Sequence, residues 1–274
     1  YPAWARDQIN LVWEGVNLDV CAPDESLRRA AFKIGDMTIR ASDKLVTYVS
    51  RDLEPYRGFH AMMRALPHLL KARKDIKVVM VGGDGISYGA LPTDAPNWRE
   101  KMLRELGSSI DPKRVVFPGR VDYQTYLKLL KRSDAHVYLT YPFVASWSLR
   151  ESLAAGCAVV GSDTQPVQEF ITHEETGLLA PFFDSKGIAN SVLRVLEDKA
   201  LSDRLRHAAR AYAEARLSMQ DYLKSYEALI ERLTGKPIGE PESKPAPRRR
   251  ATSAAAPQPA AGAVRARRTA RQPG

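Results

Sequence analysis

The sequence predicts an α/β domain: a doubly wound parallel sheet with C-terminal helices and a disordered tail. Three observations point there. Short apolar blocks bounded by Gly or Pro alternate with amphipathic stretches between about residues 45 and 180. Beyond Pro181 the periodicity becomes wholly helical. From residue 236 onward the composition changes to Pro, Ala and Arg.

The elements follow in order. A short extended piece is expected at 9–13. Leu45-Val46-Thr47-Tyr48-Val49 reads as a buried strand, and an amphipathic helix follows at about 57–73. Ile76–Val81 is a second strand, closed by Gly82-Gly83. A loop containing Gly, Pro and Tyr runs to about 95, then a helix reaches Leu106. Val115-Val116-Phe117 is a third strand, ended by Pro118-Gly119, and a helix is expected over 122–132. Ala135–Leu139 and Ala158–Gly161 are further strands, separated by a loop and a helix at 148–155. An extended piece at 177–180 precedes helices at about 184–198, 200–216 and 219–234. About five core strands make one domain of ordinary size.

Charge and composition narrow the function classes. The chain of 274 residues carries a formal charge of +9. Residues 236–274 hold nine Lys and Arg against two Glu, so that segment is +7 and the remaining 235 residues are only +2. A generally basic nucleic-acid-binding body is therefore excluded. The tail has seven Pro, ten Ala and only Ile238 and Val264 as large aliphatics, too little to offset the entropy of ordering it. It has no aromatics for base stacking. Two widely separated cysteines, Cys21 and Cys157, exclude a disulfide scaffold and fit a reducing, cytoplasmic setting. No apolar run approaches the ~18 residues of a membrane span. The chain starts at Tyr1 without a signal peptide, which suggests a fragment or a processed chain.

Ligands of such sheets lie at the carboxyl ends of the strands, so the loops there are the candidate sites. After the first strand, Arg51 and Arg57 flank a short turn that ends at Gly58 and opens a helix. Helix N-termini favour anions and guanidinium forks bind phosphate; a solvated basic loop with a local Arg–Asp pair is the alternative. Gly82-Gly83-Asp84-Gly85 lacks the spacing of a dinucleotide or Walker motif and reads first as a turn, with Ser87-Tyr88-Gly89 placed to cover a ligand. The most informative stretch is Thr140–Val160. An aromatic loop enters a helix with Ser146 and Ser148 in its first turn, and Gly156 ends that helix. Ser148 and Glu151 fit a capping box. Equally, Glu151 could accept hydrogen bonds from ribose hydroxyls while the helix-start amides face a phosphate.

These residues carry a resemblance. From about Ile9 to Leu233 the sequence resembles the C-terminal, donor-binding domain of the GT-B glycosyltransferases known as glycosyl transferases group 1. Glu14-Gly15-Val16-Asn17 stands where the family has N-G-V-D, and Arg51 with Arg57-Gly58 stands at its G-R-x-x-x-x-K-G loop. Glu151–Val160 matches its E-A-x-A-x-G-x-P-V-V segment, and Gly161–Leu179 its following G-P-x-E-x-I…G-x-L stretch.

The resemblance implies the Rossmann-like C-terminal half of a GT-B fold, and retaining, metal-independent sugar transfer without a cofactor, the donor substrate being a nucleotide-diphosphate sugar. It implies that Arg51 and Arg57 stabilise the diphosphate leaving group. Glu151 would hold the ribose, backbone near Arg120-Val121 would face the base, and Gly58, Gly83, Ser146, Ser148 and Leu149 would line the phosphates and sugar. It also implies an N-terminal acceptor domain missing from this chain. The parts expected are a lead-in segment (1–25), a nucleotide-sugar-binding domain (26–217), a crossing helix (218–235) and the disordered basic tail (236–274).

One departure stands out: Phe143 replaces the first Glu of the family's E-x7-E signature. Branches with a Pro-Phe-Val-x-Ser-Trp-Ser loop lack this acid, which makes Phe143 compatible with activity. Arg150 is unusual and is expected to add charge near the pocket. His60, His68, His136, His173 and His207 are expected to be structural or solvated. The competing reading is a catalytically inactive nucleotide-sugar-binding or interaction module, cytoplasmic and held by its basic tail at the inner face of a membrane, without specific nucleic-acid binding.

Overall fold

A computed structural model describes residues 2–235; the tail expected to be disordered lies outside the described residues. In chain order the elements are α1 (Ala3–Arg6), β1 (Phe32–Ile34), β2 (Met37–Ile39), β3 (Lys44–Asp52), α2 (Phe59–Ala72), β4 (Ile76–Gly83), α3 (Trp98–Leu106), β5 (Val115–Gly119) and α4 (Tyr123–Arg132). They continue with β6 (Ala135–Tyr138), α5 (Trp147–Ala154), β7 (Val159–Ser162), α6 (Gln165–Gln168), β8 (Leu178–Ala180), α7 (Ser185–Glu197), α8 (Lys199–Arg216) and α9 (Met219–Thr234).

Six strands form one sheet in the order β5-β4-β3-β6-β7-β8, each neighbouring pair parallel. The order reverses at β3 and β6. That is the topological switch point of a doubly wound sheet, where loops part and leave a crevice. The central strands β3, β4, β6 and β7 are largely buried on both faces, which explains their apolar runs. On one face Phe59, Met62, Met63, Leu66 and Leu69 of α2 follow helical spacing and pack with Ile188 and Val192 of α7 against Val46, Tyr48, Val78 and Met80. On the other, Leu130 of α4, Leu149 and Leu153 of α5 and Ala209 and Ala213 of α8 cover Tyr138 and Val159. Burial contributes roughly 1.5–3 kcal/mol for each large side chain.

Helix entrances are set by short polar caps. Asp122, Asp184 and Asp198 each accept a backbone N–H of their own first turn, at 2.9 Å. Gly58 joins a single 3-10 turn, Pro55–Arg57, to α2 with φ +70°. A Cβ there would lie 2.4 Å from the Leu139 side chain, so the position needs both the positive φ and the missing side chain.

Three features differ from the sequence expectation. Residues 9–13 form no strand. Instead Val16 is bonded to Leu217 and Met219 (2.8 and 3.1 Å), and Trp13, Val16 and Cys21 pack into the α5–α8 core. The β1–β2 hairpin turns through Gly35 and seats Ile34, Met37 and Ile39 beside Leu45 and Val79. Arms of three residues are too short to show a period in sequence. And the sheet has six strands, with β8 a full member. The apolar face of α9 is partly uncovered: none of its residues is buried, and Leu223, Tyr226 and Leu233 are exposed.

Candidate active site

The β3 and β6 carboxyl ends carry the polar groups of the crevice. Arg57 sits at the end of the 3-10 turn with only 8% of its surface exposed. Its Nη1 donates to Thr140 Oγ1 (2.9 Å) and to the Val144 carbonyl (2.7 Å), both neutral acceptors in the segment after β6. No Asp or Glu among the described residues pairs with it. Its guanidinium lies 5.1 Å from the Tyr88 ring and 5.9 Å from the Phe143 ring. Phe143, at the place of the family acid, is thus an aromatic wall over this cation.

The loop after β4 is pinned over the site by two carboxylates that sequence reading missed. Asp52 is buried and accepts from Arg120 Nη2 (2.8 Å) and Ser87 Oγ (2.6 Å). Burial opposes its charge, but the Ser87 and Arg120 bonds outweigh burial and hold the carboxyl below its ordinary range. Glu54, fully buried, takes the Ser87, Tyr88 and Gly89 amides on Oε2 at 3.4, 3.2 and 2.9 Å. Gly83 is needed for this packing, because a Cβ would stand 2.6 Å from Asp52 Oδ1. Tyr88 is thereby held against the Arg57 guanidinium.

Beside this lies a cleft of about 300 Å³ lined by Arg51, Arg120, Val121, Tyr123 and Tyr126. Arg51 is exposed there. Glu151 reaches the same wall: Oε1 accepts from Tyr123 and Oε2 from Tyr126, both at 2.8 Å. The capping-box reading is therefore corrected. Ser146, not Ser148, precedes α5, and Glu151 turns to the tyrosines instead of the helix start. Both phenols stay protonated donors, since burial first and then Glu151 raise them above their ordinary range. Their i, i+3 spacing after Arg120-Val121 was the available sequence signal.

At the α5 entrance Ser146 and Ser148 share a 2.7 Å hydrogen bond. The Leu149 amide donates to the Ser146 carbonyl (3.2 Å), which engages one of the two amides expected to face a phosphate. Arg150 does not add charge to the cleft: it pairs with Glu14 at 3.3 Å and stacks on Phe170. His136 is in the core, and His173 and His207 are exposed. Cys157 is no nucleophile, as burial pushes its thiol up to about 12. Among the described residues no cluster of three His, Cys, Asp or Glu could hold a metal ion, and no helix is long and apolar enough to cross a membrane.

The comparisons with known proteins agree with this architecture. The profile of the Glycosyl transferases group 1 family matches residues 33–212, most of the chain. The chain belongs to that family. It is similar to the phosphatidyl-myo-inositol mannosyltransferase of Mycolicibacterium smegmatis, 29% identical over 184 residues, covering 65% of this chain and 42% of that one. A glycogen synthase of Mycobacterium tuberculosis is 29% identical over 163 residues, covering 60% and 36%. The chain thus spans less than half the length of these curated relatives. Among solved structures, Anabaena HepE in complex with UDP and glucose superposes with a TM-score of 0.67 at 18% identity, over 83% of this chain and 57% of that one. The C-terminal domain of a group 1 glycosyl transferase from Francisella tularensis gives 0.62 at 18% identity, over 75% of this chain and all of that one. The group 1 chain therefore has a Rossmann-like domain of the GT-B fold.

Proposed function

We propose that this domain is the donor-binding half of a retaining, metal-independent glycosyltransferase that moves a sugar from a nucleotide-diphosphate sugar to an acceptor held by a second, N-terminal domain. The observation that carries the reading is Arg57. A guanidinium buried at the switch point and held only by neutral oxygens is incomplete without an anion. Its Nε and Nη2 remain for one, and a fork of this kind matches two phosphate oxygens.

In this reading the base and ribose enter the cleft of Val121, Tyr123 and Tyr126. Glu151 takes the ribose hydroxyls on the lone pairs that the tyrosines leave. Gly58 and Gly83 keep side chains out of the turns beside the diphosphate, and Ser146, Ser148 and the Ser148 amide face the sugar or its phosphate. Arg57 and Arg51 then stabilise the charge that develops as the sugar–phosphate bond breaks. Because Arg57 is fixed by Thr140 and the Val144 carbonyl, it needs no reorganisation in the transition state, the usual source of electrostatic catalysis. UDP is the first candidate nucleotide, since HepE has been crystallised with UDP and UDP-glucose.

Calorimetric titration with UDP, GDP and ADP tests this. At least one should bind in the micromolar range, and combining Arg51→Ala with Arg57→Ala should abolish the heat. Silence from all three nucleotides defeats the proposal. The second reading, an inactive nucleotide-sugar-binding module tethered through its +7 tail, draws on Phe143 standing in place of the family acid. Nucleotide binding without any release of sugar from the donor, even when this domain is joined to its N-terminal partner domain, would favour it.

A further inference from the structure

A second cavity, of about 250 Å³, opens on the α2 side of the same rim. It is lined by Pro55, Tyr56, His60, Tyr141, Phe182 and Phe183. Three loops build it: the 3-10 turn after β3, the segment after β6 and the segment after β8. Nothing in the nucleotide reading uses it. The cleft of Arg51, Arg120 and Tyr123 lies on the α4 side, and no residue lines both.

The cavity is joined to Arg57 by an unbroken run of rings. Phe143 lies against Arg57, then Tyr56 follows at 6.5 Å from Phe143, Tyr141 at 5.8 Å, Phe182 at 6.2 Å and Phe183 at 4.9 Å. Tyr56, Tyr141 and Phe143 are half-exposed and Phe183 is 73% exposed. Contiguous exposed aromatics of this kind mark a binding surface. His60 closes the floor, 5.8 Å from Phe182, with a buried Nδ1 that has no partner. Burial first, then Arg64, lowers the pKa of this imidazole, so it is neutral at pH 7 and offers one donor and one acceptor.

The lining selects the chemistry of the occupant. Apart from Pro55 there is no aliphatic side chain, so an acyl chain or a Leu-rich helix finds no matching surface. Flat rings flanked by two phenol hydroxyls and an imidazole suit a ligand with C–H faces and a polar edge. A pyranose ring is such a ligand. The volume is below the ~300–1,000 Å³ of drug-sized pockets and suits a single ring.

We infer that the Tyr56–His60–Tyr141–Phe182–Phe183 cavity is a pyranose-binding subsite on the side of Arg57 away from the nucleotide cleft. It rests on the glycosyltransferase reading for its meaning but not for its measurement. The ring comes from the acceptor or from the donor, and the experiment separates the two.

Saturation-transfer NMR on the full chain with methyl α-D-glucopyranoside and methyl α-D-mannopyranoside provides the test. At least one glycoside should show transfer to its ring C–H protons. Tyr141→Ala and Phe183→Ala should each cut that signal about fivefold or more, while UDP, GDP and ADP titrations stay within twofold of wild type. A signal that survives saturating UDP-glucose assigns the subsite to the acceptor. A signal that UDP-glucose removes and UDP does not assigns it to the donor sugar. No transfer from either glycoside at tens of millimolar, or transfer indifferent to both substitutions, overturns the inference. So does glycoside silence with a concentration-dependent dimer that Phe183→Ser dissociates, since the rings would then cover a second copy. Nucleotide binding is read separately, so loss of the subsite leaves the donor reading standing, and the reverse.

Discussion

Glu151 shows how much one carboxylate can be shaped by its neighbours. A carboxylate has about four lone-pair sites. Tyr123 and Tyr126 take one on each oxygen, at 2.8 Å. The two remaining sites lie on a group whose rotation is stopped from both sides, the geometry needed to receive a pair of adjacent hydroxyls. Tyr126→Phe removes one of these restraints and little volume. It should weaken binding of the nucleotide that the wild type prefers by about tenfold, the ~1.5 kcal/mol of a hydrogen bond to a charged group. Its 2′-deoxy analogue should change little. A ratio of ribo- to deoxyribonucleotide affinity that does not move would show that Tyr126 only packs. Sequence had marked Glu151 as one of two alternatives. It could not choose, because a capping box and a ligand carboxylate use the same S-x-x-E spacing and differ only in where the chain places Tyr123 and Tyr126.

At the scale of elements, the turn after β3 and the loop after β4 work as one piece. Leu53 N–H bonds the Gly83 carbonyl at 2.8 Å, Asp52 holds Ser87 and Arg120, and Glu54 gathers three successive amides. Tyr88 is carried onto Arg57 by that clamp. Glu54→Ala removes the acceptor and leaves the strands intact. Hydrogen exchange at Tyr88 and Gly89 should then quicken by roughly ten- to a hundredfold, in keeping with about 1–3 kcal/mol for a lost buried partner, while core amides of β3 and β4 hold their protection. Uniform acceleration across the sheet would mean instead that Glu54 supports global stability.

Most strands and helices of this region were legible in sequence because apolar blocks and helical periods are local. Arg51, Arg57 and the loops around them were legible as well, by position at strand ends. Asp52 and Glu54 were not. Their partners lie 33 to 68 residues away, and an acidic residue in a loop carries no local sign of being buried. The same holds for the ring run from Phe143 to Phe183, which three separate loops assemble, and for Arg150, whose partner Glu14 is 136 residues distant.

For the whole molecule, the seam between β3 and β6 decides stability as well as the place of the crevice. His136 on β6 is fully buried there. Its Nδ1 meets Thr47 of β3 at 2.9 Å, Thr47 meets Ser133 at 2.7 Å, and Nε2 has no partner. Burial lowers its pKa to about 4, against about 6.5 in an unfolded chain. Between those values the unfolded chain binds a proton that the native chain refuses, so unfolding is favoured as the pH falls through this window. The contribution is fully present above about 6.5 and lost by about 4. Its upper limit is about 3.5 kcal/mol, from some 2.5 pH units at ~1.4 kcal/mol each. His60, lowered more weakly, adds a slope of the same sign. Denaturant titrations from pH 7 to 4 should therefore show stability falling steadily before the carboxylates protonate. In His136→Gln, which keeps a polar side chain facing Thr47 but cannot take up a proton, most of that slope should vanish even if the variant is less stable at pH 7. An unchanged slope in the variant would place the acid sensitivity elsewhere, in His60 first, and would remove the seam as the point where this fold first yields to acid.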